Sequence, residues 1–138
     1  MIKILFVDCD GVVNNIRTPN TDGWPIDPFC AFLIGKIVLA TDCKIVLSSS
    51  WRHSAEGRGV FRRKVYPFID ITDHRNYATR GDEIASWLLA NPDVTRYAIL
   101  DDDADMLPEQ LPSFFQTTFA EGLTEEIAER VIKYLCAT

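Results

Sequence analysis

The chain is as informative in what it omits as in what it carries. Its four cysteines, Cys9, Cys30, Cys43 and Cys136, include no CxxC pair. That spacing excludes a thiolate zinc site and a disulfide framework, and fits a reduced, cytoplasmic setting. No apolar run approaches the roughly 20 residues needed to cross a bilayer. Only Lys3 precedes the first short apolar run, so no secretory signal is expected. A phosphatase loop of cysteine, five residues and arginine is missing, because Asn15 lies six positions after Cys9 and Ser49 six after Cys43. There is no phosphate-loop lysine motif. An EF-hand starting at Asp101 fails, since Met106 stands where glycine is needed and Pro112 where glutamate is needed. Linkers, repeats and low-complexity tracts are also lacking, and 138 residues suit one domain with a real core.

Positive charge is scarce except in one place. The net charge is −6. Residues 51–80 carry Arg52, Arg58, Arg62, Arg63, Lys64, Arg75 and Arg80 against three acids, whereas residues 81–138 carry twelve acids against three bases. A basic segment of this kind suits a phosphorylated or nucleic-acid partner, or else a solvated helix face.

What is present alternates. Residues 2–7 form an apolar run that reads as a buried strand, and residues 14–28 are turn-rich, forming a loop or small flap. Phe29 to about Thr41 reads as a helix and Lys44 to Leu47 as a second strand. A basic connecting segment over 52–79 includes partial helix, with a short strand at Ile69 to Ile71. Thr79 opens a capped helix that stops near Pro92. Tyr97 to Leu100 and Phe114 to Thr118 read as strands, and Thr124 caps a last helix reaching about Leu135. The alternation predicts a single α/β Rossmann-like domain, a mainly parallel sheet with helices on both faces.

Right-handed crossovers place every strand's carboxyl end along one edge of such a sheet. Asp8 and Asp10, the serines at 48–50, Arg80 and the Asp101–Asp105 cluster are therefore expected to converge there. Asp8 and Asp10 alone could be solvated turn residues, but their gathering with Asp101 and Asp102 calls for a cation. Carboxylates about 5 Å apart repel by roughly 3 kcal/mol at an effective dielectric near 20. An all-oxygen donor set points to Mg²⁺, which binds through carboxylates plus phosphate. A serine hydroxyl and a guanidinium would complete the surroundings of a transferring phosphoryl group.

Asp8-Cys9-Asp10-Gly11-Val12 resembles the DxDG[TV] first motif of the haloacid dehalogenase (HAD) superfamily. The serines after Lys44-Ile-Val-Leu resemble its second motif, Arg80 its basic third, and Asp101-Asp102 its acidic fourth. More narrowly, Leu47-Ser-Ser-Ser-Trp-Arg52, Arg80-Gly-Asp-Glu-Ile84 and Leu100-Asp-Asp-Asp103 resemble the small HAD domain of Swiss Army Knife RNA-repair proteins. The resemblance implies a HAD-like domain over 1–138 and an Mg²⁺-dependent phosphatase. Asp8 would be the nucleophile and Asp10 the general acid and base. The metal would lie at Asp8, Asp101, Asp102 and Asp10, the last through its backbone carbonyl, with Asp105 a weaker candidate. Arg80 replaces the commoner lysine. The phosphate-binding hydroxyl falls on Ser49 or Ser48, with Ser49 preferred. Ser50 reads as a turn residue, Trp51 as a core or rim aromatic, and Arg52 as a phosphate ligand or a salt-bridge partner.

The gaps between motifs, about 35 and about 30 residues, leave no room for a sizeable cap. An open crevice beside basic residues suits a nucleotide or nucleic-acid end, with Arg62 and Arg63 as possible contacts whose charge reversal should weaken oligonucleotide processing. Two other readings compete: a non-catalytic phosphate- or nucleic-acid-binding module on the same fold, and an aspartyl-phosphate receiver. The receiver lacks its acceptor aspartate after a middle strand and its late lysine.

Overall fold

A computed structural model describes residues 1–73 and 79–137. Arg75 of the basic segment lies outside the described residues. Among those described, the strands are β1 (Ile2–Val7), β2 (Lys44–Leu47), β3 (Asp70–Ile71), β4 (Val94–Asp101) and β5 (Phe114–Gln116). They pair in the order β3-β2-β1-β4-β5, every pair parallel. The helices are α1 (Pro28–Thr41), α2 (Ala55–Lys64), α3 (Arg80–Ala90) and α4 (Glu125–Cys136). The expected α/β architecture is present, with no cap among the described residues. The third long strand starts earlier than its apolar run, at Val94, because pairing with β1 draws in a polar lead. The last strand ends earlier, at Gln116.

Side-chain alternation sorts the core into two layers. Leu5, Val7, Ile45, Leu47, Ala98 and Leu100 face α1, α2 and α4, whereas Ile4, Phe6, Val46 and Ile99 face Ile84 and Trp87 of α3. Each helix start is fixed locally. Asp27 accepts from the N–H groups of Phe29 and Cys30 ahead of Pro28, Thr124 accepts from that of Ile127, and Thr79 and Asp82 form a reciprocal capping box. That box sets α3 down with Arg80 in its first turn, on the face occupied by Phe6 and Ile99.

Two 3-10 turns were not legible in the sequence. One, Ser50–His53, is capped by Ser49 immediately after β2, and the other, Pro108–Ser113, precedes β5. The first is decisive for the site, because it turns the chain back across the carboxyl edge of the sheet.

Candidate active site

The parallel ladder continues one residue past three strands. Asp8 N–H donates to Leu100 O at 3.0 Å, Ser48 N–H to Val7 O at 3.0 Å, and Thr117 N–H to Asp101 O at 3.0 Å. Asp8, Ser48 and Asp101 therefore occupy one row at the carboxyl edge. By strand parity they share the α3 face, while Cys9 turns into the opposite layer. Arg80 reaches this row from its helix start. Its Nη1 lies 3.4 Å from Asp8 Oδ1 and 3.4 Å from Asp101 Oδ2, and it also donates to Ser48 O. The Arg80 backbone N–H donates to Asp105 Oδ2 at 3.1 Å. Asp105 thus anchors the helix start, and its carboxylate is not part of the acidic cluster.

Asp8, Asp101 and Asp102 each offer an oxygen within 4.8 Å of the others. Gly11 makes this possible. Its φ is +80°, and a Cβ there would come within 2.6 Å of Asp102 Cγ. Burial is the chief cause that pushes the Asp8 carboxyl well above the usual carboxylate range, and the Asp101 charge adds to it against the pull of Arg80. Asp101 is raised too, by burial first, with Arg80 opposing. Burial alone would lower the Arg80 pKa, but Asp101, Asp8, Glu83 and Asp105 together raise it. Asp101 Oδ2 is buried without a hydrogen bond among the described residues, with Arg80 Nη1 3.4 Å away as a looser ion contact. An orphaned carboxylate oxygen inside an all-oxygen trio fits a hard divalent cation such as Mg²⁺.

Several alternatives that the sequence leaves open separate here. The Asp10 carboxylate does not join the trio. It turns to Asn14 Nδ2, 3.0 Å from Oδ1, and to Trp51 Nε1, 3.3 Å from Oδ2, which leaves only its backbone carbonyl as a metal candidate. The two candidate hydroxyls, on Ser48 and Ser49, differ in their surroundings. Ser49 Oγ is occupied in accepting the Trp51 N–H at 3.1 Å, while Ser48 Oγ, buried on the Asp8 row, has no hydrogen-bond partner among the described residues.

Arg52 takes the salt-bridge alternative. It is 4% exposed, pairs with Glu83 at 2.7 Å, and donates to Thr72 O, Ser48 O and Ser49 O. Arg62 and Arg63 sit towards the opposite edge of the sheet. α2 starts beside the 3-10 turn and runs against the strands for 10 residues, about 15 Å at 1.5 Å per residue. Its last turn carries both arginines towards the segment where Ile69 N–H bonds Ile45 O, near the start of β2. Arg62 stacks over Phe68, 4.1 Å from the ring centroid.

Three contributors escaped the sequence reading. Asn14 looked like a loop marker, yet its Oδ1 accepts the Gly11 N–H at 2.9 Å while its amide holds Asp10. Glu83 stands in the Arg80-Gly-Asp-Glu-Ile84 stretch with no role assigned from sequence, yet it joins Arg52 to Arg80, whose Nε lies 3.9 Å away. Thr117 donates to Gly11 O at 2.6 Å and ties the turn after Asp10 to the end of β5. Asn four residues after an acid in a DxDG turn was the one visible signal.

Comparison with known proteins gives one match. The model of a family described as the HAD domain in Swiss Army Knife RNA repair proteins covers residues 4–128 of the chain. No curated protein and no solved structure matches it. Among the described residues, no helix is long and apolar enough to cross a membrane.

Proposed function

Because the chain belongs to the family of HAD domains of Swiss Army Knife RNA-repair proteins, we propose that it is an Mg²⁺-dependent phosphohydrolase acting on a phosphomonoester. We take the substrate to be a nucleotide or nucleic-acid end, in keeping with the family's description and the capless edge of the sheet. The observation that carries this reading is the meeting of Asp8, Asp101 and Asp102 around one point, with Arg80 bridging the first two.

Mg²⁺ held by Asp8, Asp101 and Asp102 would screen their mutual repulsion and the charge of the phosphoryl oxygens. Arg80 favours the ionised Asp8 that attack requires and offers a second donor to phosphate. The free Ser48 hydroxyl supplies a further donor on the same row. An Asp8 oxygen bonds to phosphorus as the ester P–O bond breaks, and the departing oxygen takes a proton from Asp10. Water then bonds to phosphorus, gives its proton to Asp10 and releases Asp8. The sum is ester plus water to alcohol plus phosphate, with both aspartates restored. Splitting the barrier this way is the advantage of a covalent route.

The test is phosphate release from p-nitrophenyl phosphate, nucleoside monophosphates and 5′- and 3′-phosphorylated oligonucleotides, with Mg²⁺ or with EDTA. Turnover that needs Mg²⁺ and is lost in Asp8→Asn is the expected result. Release no faster than that of Asp8→Asn on every substrate would overturn the reading, and phosphate binding without turnover would replace it with a binding module.

A further inference from the structure

Resting on that reading, we infer that Trp51 is a positioning residue for the Asp10 carboxyl, acting through its indole N–H. Asp10 lies at the exposed end of the DxD turn. A carboxyl in that position is free to move among staggered rotamers, only some of which face a leaving group bound at Asp8. Here both oxygens are held, Oδ1 by Asn14 and Oδ2 by Trp51. One donor comes from the same turn and the other from 41 residues on. Indole N–H can only donate, so it specifies which way that oxygen must face. Each oxygen keeps a second lone-pair site for the proton it passes to the leaving group.

The indole is itself locked. Trp51 is 5% exposed, and its backbone N–H donates to Ser49 Oγ at 3.1 Å. Its ring meets that of Trp24 edge to face, with centroids 5.1 Å apart. Trp24 in turn lies against Gly57, where a Cβ would come within 2.7 Å of the Trp24 ring. Flap, 3-10 turn and the first turn of α2 thus converge on a single donor, and the last contact in the chain is the proton donor of the proposed reaction. A buried indole N–H takes a polar partner in any case, as Trp87 Nε1 does on Asp70 Oδ2 at 2.9 Å, but at Trp51 that partner is the carboxylate of the proposed acid.

The decisive variant is Trp51→Phe, which keeps an aromatic ring against Trp24 and removes the N–H. Benzothienylalanine at position 51, with sulfur in place of N–H in the same outline, guards against misfolding of the phenylalanine form. The readout is kcat/KM, which covers events up to loss of the leaving group and not the later hydrolysis. Benzyl phosphate has a poor leaving group that needs the Asp10 proton, whereas p-nitrophenyl phosphate scarcely needs it. Both variants should lose at least 10-fold on benzyl phosphate and no more than 3-fold on p-nitrophenyl phosphate, the same direction of split as Asp10→Asn. Equal losses on the two substrates, or no loss on either, would overturn the assignment. If the unaltered protein with Mg²⁺ turned over neither compound, the phosphohydrolase reading would fall instead.

Discussion

At the carboxyl edge of the sheet, Asp8 and Asp101 are buried with Arg80 held between them, whereas near the amino edge Arg62 and Arg63 stand in water at the end of α2. The basic stretch Arg62-Arg63-Lys64 carries three like charges in a row, yet it lies away from the buried acids. A charge in water is screened within about 8 Å at physiological ionic strength, and α2 alone spans about 15 Å. A charge at the row has no such shield, and its energy depends on which neighbours share the burial. The consequences of altering a charge should therefore follow burial and placement, not local charge density.

The sharpest way to break that contrast is Asp8→Asn. Activity should fall by roughly 10⁴-fold or more, as expected for loss of a nucleophile, while the metal-free protein gains stability. The sign follows from the raised carboxyl. Below the unfolded value near 3.9 the native and unfolded forms are both protonated and nothing is lost. As pH rises through the higher folded value, stability is lost, because a buried group must ionise or hold its proton against solvent. The melting temperature of Asp8→Asn should exceed that of the unaltered protein in EDTA, by more at pH 7 than at pH 4, and by about 4 °C per kcal/mol. Mg²⁺ should narrow the difference. An asparagine variant that melts lower in EDTA at pH 7 would show that the row is not strained without metal.

Next in size is Arg52→Met. It leaves Glu83 buried without its 2.7 Å partner, which should cost about 3–5 kcal/mol in thermal or urea unfolding. KM for a nucleotide substrate should be unchanged at a temperature where the variant is folded. A raised KM with undiminished stability would return Arg52 to the substrate.

Ser48→Ala and Ser49→Ala sharpen the comparison within the edge itself. Loss of a hydroxyl that bonds a charged phosphate costs about 1.5–3 kcal/mol, so Ser48→Ala should lower kcat/KM by roughly 10- to 100-fold with little change in melting. Ser49→Ala removes a cap and should cost about 1 kcal/mol of stability instead. Smallest is the double change Arg62→Glu with Arg63→Glu. Stability should stay within about 0.5 kcal/mol, and kcat/KM on a phosphorylated oligonucleotide within about twofold. A tenfold loss there, with p-nitrophenyl phosphate spared, would show that substrate wraps far along α2.

Much of this site is legible in one dimension. Asp8, Asp101 and Arg80 are found because each sits at the end of a strong apolar period or at a capped helix start, and the crossover rule does the rest. Ser48 and Ser49 cannot be separated that way. A strand's side chains alternate, so a shift of one residue exchanges the row facing Arg80 for the opposite one, and only the Ser48–Val7 hydrogen bond fixes the register. Arg52 reads the same whether it meets phosphate or Glu83, because its partner is 31 residues away.

The sequence by itself determined the parallel α/β order, the two caps that place α3 and α4, the oxygen-only chemistry of the acidic edge and the lack of room for a cap. These depend on periods and neighbours within a few positions, where local sterics and burial have the last word. Tertiary structure alone decided which serine lies free, which arginine is locked and which edge of the sheet the basic end of α2 reaches. It alone also decided that Trp51 and Asn14 hold Asp10. Each of those outcomes depends on which distant groups are buried together, and in a low-dielectric crevice a few ångströms between polar groups outweigh any local preference.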